Sequence, residues 1–135
     1  MARVPAVKHT DALIAVVDDE ASVRTMLVRA LRLAGYQVAP FASGEEFLAS
    51  LETRRPACAV LDIHMPGLSG FEVASRLYAM GWRVPIIFIT AGHSTALKRQ
   101  AEAAGAVCML QKPFSTDTLL DALHGAVSHL GQDAT

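Results

Sequence analysis

The feature that most constrains the fold is a regular alternation of short apolar runs with longer amphipathic stretches. The apolar runs have the length of strands and occupy residues 12–17, 36–41, 57–61, 84–89 and 106–110. Each is followed by a stretch with helical periodicity, at residues 20–35, 44–52, 69–81, 94–105 and 115–131. This alternation predicts an α/β fold with a doubly wound, five-stranded parallel sheet of the (βα)5 type, covered by helices on both faces.

The length of 135 residues fits one domain with its own core. We expect the domain to span residues 11–131, with flexible termini at residues 1–10 and 132–135. The net charge is −1 and basic residues form no block, which argues against direct binding of nucleic acid. No apolar run reaches the roughly 18–20 residues that a membrane span requires, so we expect no membrane association.

The two cysteines indicate the compartment. Cys58 and Cys108 lie inside apolar runs and far apart in sequence, whereas a metal or redox pair normally has close spacing. We interpret both as small buried hydrophobic residues in a reducing environment, and we therefore expect a cytoplasmic protein.

Polar side chains follow the strand-like runs at points that a parallel sheet brings together. They are Asp18, Asp19 and Glu20 after the first run, Asp62 after the third, Thr90 after the fourth, and Gln111, Lys112 and Pro113 after the fifth. Taken singly, each has an ordinary explanation as a helix cap, a turn residue or a solvated charge. The binding crevice of such a sheet lies beyond the carboxyl ends of its strands, so we expect these groups to converge there.

The chemistry of the converging groups is complementary. Carboxylates held close together repel one another, and Mg²⁺ relieves that conflict because it prefers oxygen ligands. A lysine ammonium suits a phosphate oxygen, and an aspartate beside a metal ion can form an aspartyl-phosphate. The set therefore predicts a phosphoryl-transfer site. The sequence has no GxxxxGK[ST] loop, so it lacks that route to a nucleoside triphosphate.

Four motifs carry a resemblance to a known family. They are VVDDE at 16–20, LDIHMPGLSG at 61–70, FITA at 88–91 and QKPF at 111–114. In order and spacing they resemble the receiver domains of two-component response regulators, over a region from about Leu13 to Leu130. The resemblance implies a flavodoxin-like receiver fold and a phosphorylation-driven signalling switch that is not itself an enzyme.

The resemblance also implies roles for the acidic residues. Asp62 is expected to be the phosphoacceptor, which takes a phosphoryl group from the phosphohistidine of a sensor histidine kinase or phosphotransfer protein. Asp18 and Asp19 are expected to hold Mg²⁺ together with Asp62 and the backbone carbonyl of His64.

Further roles follow from the resemblance for the fourth and fifth strands. Lys112 is expected to contact a phosphoryl oxygen and to pair with Asp62 before modification, and Thr90 to turn inward towards the phosphate. The bond between Lys112 and Pro113 is expected to be cis. Met109 occupies a position where the family usually has Tyr or Phe; methionine fills the gap but gives no aromatic toggle, and core packing explains it equally well.

Two loop positions are candidates for tuning the lifetime of the acyl phosphate. His64 lies two residues after Asp62, and Gly92 two after Thr90. In the family such positions flank the path of the attacking water. The alternative for His64 is an exposed loop imidazole without a special role.

The resemblance places the output on the fourth helix, fifth strand and fifth helix, including residues 93–99 and the exposed side of 115–130. The recipient is a downstream protein target or an output domain.

Two alternatives to the phosphoacceptor function stay open at this point. One is a phosphatase or phosphotransferase with an aspartyl-phosphate intermediate, although dehalogenase-type enzymes usually carry an aspartate where this chain has His64. The other is a receiver-fold binding module that works without phosphate.

Overall fold

A computed structural model of the chain describes residues 12–92 and 94–133, with side chains as far as residue 128. Strands and helices alternate as the sequence predicts: β1 Leu13–Val17, α1 Ala21–Leu33, β2 Gln37–Phe41, α2 Gly44–Ser50, β3 Cys58–Asp62, α3 Gly70–Ala79, β4 Ile86–Thr90, α4 Thr95–Ala103, β5 Cys108–Gln111 and α5 Thr116–Asp133. The strands pair in parallel in the order β2-β1-β3-β4-β5. The flavodoxin-like (βα)5 fold is therefore confirmed.

The strand order determines where a binding crevice forms. β1 has β2 on one side and β3 on the other, so the chain reverses its direction across the sheet between these two neighbours. In open parallel sheets this switch point, beyond the carboxyl ends of the strands, is the usual ligand site. β1 and β3 end there in Val17 and Asp62.

Alternate strand residues pack into two apolar clusters, one on each face of the sheet. One cluster joins Ile14, Val16, Val60, Ile87 and Ile89 to Leu27, Leu31, Leu119 and Leu123 of α1 and α5. The other joins Val17, Leu61 and Phe88 to Phe47, Val73 and Leu77 of α2 and α3. Every residue of β3 and β4 is buried, which explains why these strands are continuously apolar rather than alternating.

The boundaries differ slightly from the predicted ones. Each strand begins one or two residues later than its apolar run, because residues such as Val84 and Ala106 pack against the core before strand pairing starts. Gly35 and Gly105, which follow the first and fourth helices, have φ angles of 99° and 79°, a left-handed conformation that favours glycine. Ser43 is the N-cap of α2 and accepts a hydrogen bond from the N–H of Glu46.

Cys58 is buried and Cys108 is half-buried, and both are free thiols. Burial, followed by the neighbouring Cys108, raises the pKa of the Cys58 thiol to about 12, so this thiol stays protonated and unreactive.

The predicted membrane behaviour and chain ends can be compared only with the described residues. Within those residues, no helix combines the length and apolarity that crossing a bilayer demands. The predicted flexible segment 1–10 lies outside the described residues, as do positions 134 and 135. α5 continues to Asp133, two residues past the predicted domain end.

Candidate functional site

The polar residues at the strand ends meet at one edge of the sheet. Asp18 directly follows β1, Asp62 and Thr90 are the last residues of β3 and β4, and Lys112 directly follows β5. Asp18, Asp62 and Thr90 are also the buried polar residues among those that the structure describes. Because burial of a polar group is unfavourable without a partner, their concentration at a single edge marks a functional site.

Three carboxylates form the centre of this site. Ligand oxygens of Asp18, Asp19 and Asp62 lie within 4.8 Å of one another. Oδ1 of Asp18 accepts a hydrogen bond from the N–H of Glu20 at 2.9 Å, and Oδ1 of Asp62 accepts one from the N–H of His64 at 3.3 Å. Asp18 and Asp19 therefore do not act as the cap of α1, whose N-cap is Glu20.

One oxygen of this group lacks a hydrogen-bond donor. Oδ2 of Asp18 is buried and accepts no hydrogen bond from the part of the chain that the structure describes. Its close cation in the described residues is the ammonium of Lys112 at 3.1 Å, and this oxygen keeps the capacity to bind a metal ion as well. An all-oxygen set with one exposed member, Asp19, also suits a metal that keeps some of its waters. The residues therefore fit a Mg²⁺ ion.

Lys112 stands over the carboxylates. Its Nζ lies 3.1 Å from Oδ2 of Asp18, an ion pair without hydrogen-bond alignment, and 3.6 Å from Oδ2 of Asp62. It also lies 3.4 Å from Oε1 of Glu20. The backbone N–H of Lys112 donates to the carbonyl of Thr90 at 2.7 Å, and its bond to Pro113 is cis. The ammonium is therefore shared among three carboxylates and is nearer to Asp18 than to Asp62.

The close approach of the carboxylates changes the pKa values of Asp62 and Lys112. Burial, followed by the charge of Asp18, raises the pKa of Asp62 to about 6; Lys112 and the N–H of His64 act in the opposite direction without cancelling the effect. Burial disfavours the ammonium of Lys112, but Asp18, Asp62 and Glu20 outweigh it and raise the pKa of this lysine. The site thus holds more negative charge than its single ammonium neutralises.

Thr90 and the two loop positions lie beside the carboxylates. Oγ1 of Thr90 is buried and accepts a hydrogen bond from the N–H of Gly92 at 3.0 Å. A Cβ atom at Gly92 would lie 3.8 Å from this oxygen, in ordinary contact. The side chain of His64 is exposed, although its backbone lies against Asp62.

Met109 lies between the core and the α4–β5 surface. It pairs in register with Phe88 and packs against the same apolar cluster. It also lines a cleft of about 720 Å³ between α4 and β5, with Ser94 and Lys98 on the opposite wall. A change at Met109 would therefore affect both the packing of β5 and the shape of this surface. His93, expected in the output surface, lies outside the described residues.

Comparison with known proteins now identifies the family. Residues 14–124 match the family described as "Response regulator receiver domain". The chain belongs to this family. The acidic pocket of Asp18, Asp19 and Asp62 with Lys112 is the corresponding site of this receiver domain.

Curated relatives of the receiver domain are longer proteins. Nodulation protein W of Bradyrhizobium diazoefficiens is 38% identical over 117 residues, a match that covers 87% of this chain and 52% of that protein. Transcriptional regulatory protein FixJ of Rhizobium meliloti is 35% identical over 121 residues, covering 90% and 59%. The receiver domain therefore spans about half the length of the curated relatives that it matches.

Solved structures of similar size agree in fold. FixJ-N is 34% identical with a TM-score of 0.82, and the match covers 88% of the receiver domain and 95% of that chain. Chemotaxis protein CheY4 of Vibrio cholerae is 34% identical with a TM-score of 0.81, covering 86% and 98%.

Sequence reasoning missed two supports of the receiver pocket. Nη1 of Arg24 donates to the carbonyl of Asp18 at 2.7 Å and so fixes the turn after β1. A Cβ atom at Gly70 would lie 2.5 Å from the carbonyl oxygen of Asp62 and 3.0 Å from Cα of Ile63, so only glycine lets α3 start this close to β3. The last glycine of GLSG, Gly70, was a signal for this close approach of α3 to β3. Nothing in the sequence indicated the bond from Arg24 to Asp18.

Proposed function

We propose that this receiver domain accepts a phosphoryl group on Asp62, in a Mg²⁺-dependent reaction, from the phosphohistidine of a sensor histidine kinase or phosphotransfer protein. The observation that carries the proposal is the position of the Asp62 carboxylate, buried at the end of β3 with Asp18, Asp19 and Lys112 around it. The similarity to response regulators supports the choice of phosphodonor.

In the proposed reaction a carboxylate oxygen of Asp62 forms a bond to phosphorus as the bond from phosphorus to the imidazole nitrogen of the donor breaks. The electron pair of that bond returns to the imidazole. Asp18, Asp19, Asp62 and the backbone carbonyl of His64 would hold Mg²⁺, which when bound supplies charge neutralisation at the phosphoryl oxygens. The three carboxylates gathered beside the ammonium of Lys112 support this assignment.

Lys112 and Thr90 are proposed to receive the new phosphoryl oxygens. Lys112 already lies within 3.6 Å of Asp62, so its ammonium can move from the carboxylates to a phosphoryl oxygen over a short distance. The hydroxyl of Thr90 now accepts from Gly92, which leaves its proton available for donation. Engagement of Thr90 would pull on the end of β4, next to the strand that carries Met109.

The proposed output is a shift between two arrangements of the α4–β5–α5 surface, biased by the acyl phosphate. This surface includes the cleft between Met109 and Lys98, and Met109 lies on the strand that pairs with β4. We propose that a downstream protein, or an output domain, reads the change there.

The test is phosphorylation by a small phosphodonor such as acetyl phosphate, followed by intact-protein mass spectrometry. We expect the wild-type chain to gain one phosphoryl group with Mg²⁺ and none with chelator. Asp62→Asn should gain none, whereas Asp117→Asn, a matched change at an exposed aspartate of α5, should behave as wild type. A wild-type chain that gains no phosphoryl mass with Mg²⁺ would refute the proposal.

The same purified chain also distinguishes a phosphoacceptor domain from a phosphatase. Incubation with a chromogenic phosphate ester should give at most one turnover in a phosphoacceptor domain. Steady release over many turnovers, abolished by Asp62→Asn, would instead assign a phosphatase activity to the pocket.

A further inference from the structure

Four arginines line the two sides of β2, an edge strand of the sheet, and one of them, Arg24, also reaches the carbonyl of Asp18. Arg24, Arg29 and Arg32 line a cleft of about 530 Å³ between α1 and β2, together with Leu33 and Pro40. A second cleft of about 450 Å³ on the other side of the strand is lined by Arg32, Arg54 and Pro40. We name these two adjoining hollows the arginine cleft, defined by Arg24, Arg29, Arg32, Leu33, Pro40 and Arg54.

The positive charge of the arginine cleft is not balanced locally. Within residues 12–92 and 94–128, no aspartate or glutamate lines either hollow. Arg24 donates to the carbonyl of Asp18, but the guanidinium groups of Arg29, Arg32 and Arg54 form no hydrogen bond or ion pair with the described part of the chain. The whole chain is slightly acidic, with a net charge of −1, so the positive charge of this edge differs sharply from the charge of the chain as a whole.

An exposed apolar side chain accompanies the charge. Leu33 is 84% exposed, the largest value among the large hydrophobic residues that the structure describes, and it lines the same hollow as Arg29 and Arg32. Val28 and Pro40 add further apolar surface. An exposed apolar patch with a polar rim is typical of a protein-interaction site.

The geometry of β2 excludes one mode of binding. Gln37 donates to the carbonyl of Ala12, and the carbonyl of Phe41 accepts from Asp18, so every second residue of β2 bonds towards β1. Pro40 therefore directs its backbone outward, where it offers no N–H to an added strand. A partner must be held by the side chains of the cleft rather than by extension of the sheet.

We propose that the arginine cleft binds an acidic amphipathic segment of a partner protein. Carboxylates of the segment pair with the guanidinium groups of Arg29, Arg32 and Arg54, whose planar donors suit bidentate contacts with carboxylates. An apolar residue of the segment packs on Leu33. The mixture of charge with apolar surface favours a protein over a nucleic acid, which stacks its bases on exposed aromatic rings. Of the two aromatic residues that line the second hollow, Phe47 is buried and Phe41 is half-buried. Because β2 and β5 are opposite edges of the sheet, this contact is separate from the proposed output surface.

The test uses a fluorescently labelled synthetic peptide with glutamate on one helical face and leucine on the other, and it measures binding to the full chain by anisotropy. We expect saturable binding that weakens steeply from about 0.05 M to about 0.5 M salt. The double variant Arg29→Glu/Arg32→Gln should lower the affinity at least ten-fold, and Leu33→Ser should lower it several-fold. Arg76→Glu/Arg83→Gln, with the same change in charge on and just after α3, is the matched control and should bind as wild type. Phosphorylation of Asp62 should be unaffected in all of these variants.

Amide shift mapping by NMR keeps the outcome independent of any effect of the substitutions on folding. The peptide should perturb α1 and β2 of the wild-type chain. Lack of binding, perturbations confined to other elements, or equal losses in the α3 control would overturn the proposal. Binding of a single-stranded oligodeoxythymidine that shows the same sensitivity to Arg29 and Arg32 would also overturn it, because it would assign the cleft to nucleic acid.

Discussion

Replacing Asp62 with asparagine is expected to stabilise the metal-free receiver domain at alkaline pH. The carboxylate is buried, and its pKa rises from 3.8 to about 6 because of burial and the nearby charge of Asp18. A raised pKa means that the folded state holds the proton more tightly than the unfolded state. The contribution of Asp62 to stability is therefore complete below pH 3.8 and is lost as the pH rises through about 6.

The size of the effect follows from the same values. A rise in pKa from 3.8 to about 6 corresponds to a loss of about 3 kcal/mol when the group is fully ionised in the folded state. Asparagine removes the charge but also the attraction to Lys112, so we expect a gain of about 1–3 kcal/mol in the free energy of unfolding at about pH 8. Near pH 4.5 the gain should fall to a fraction of that value, because wild-type Asp62 is then mostly protonated.

Chemical denaturation in the presence of chelator measures this difference, with Asp117→Asn as a matched change at an exposed aspartate. Addition of Mg²⁺ should stabilise the wild type by mass action and narrow the gap, because the variant has lost a ligand. If Asp62→Asn is no more stable than wild type at alkaline pH without metal, or if the gain does not shrink on acidification, then burial and the charge of Asp18 do not raise the pKa of Asp62 in the folded state.

Two further outcomes follow from the geometry around Asp62. Gly70→Ala should lower the free energy of unfolding by about 1–3 kcal/mol, because the new Cβ would meet the backbone of Asp62 and Ile63. The control is Gly125→Ala in α5, where a Cβ meets no atom within 4 Å. This change should instead raise the free energy of unfolding by up to about 1 kcal/mol. Thermal denaturation compares the two, and equal effects would contradict the close-approach argument. His64→Ala should change the lifetime of the acyl phosphate if the imidazole lies on the path of water, measured as loss of phosphoryl mass with time, and identical lifetimes would discard that role.

The sequence predicted the fold and the gathering of the strand-end residues because both depend on topology alone. Once strands and helices alternate, a parallel sheet follows, and its carboxyl edge must collect Asp18, Asp62, Thr90 and Lys112. The distribution of Lys112 among its partners could not be predicted. Whether its ammonium lies nearer to Asp18 or Asp62 depends on a few tenths of an ångström in the loop after β5.

The arginine cleft is a second feature that could not be predicted from the sequence. The absence of a basic block argued against binding of nucleic acid and gave no sign of a local cationic surface, yet Arg24, Arg29 and Arg32 lie along α1, and Arg54 is far from them in sequence. The packing of α1 beside β2, with Arg54 beyond the other face of that strand, brings them together around one edge. Scattered charges of this kind become a patch only in three dimensions, so a linear scan of charge does not detect them.

Pro40 has a consequence for how copies of this chain could assemble. A five-stranded open sheet has two rims at which another polypeptide could continue the hydrogen-bonded ladder, and proline removes a donor from one of them. Continuous sheets between two molecules are thus directed to the β5 rim, which is the rim next to the helices that we expect phosphorylation to rearrange. Self-association by sheet extension would for this reason be subject to the state of Asp62, whereas the β2 rim stays closed to it in either state.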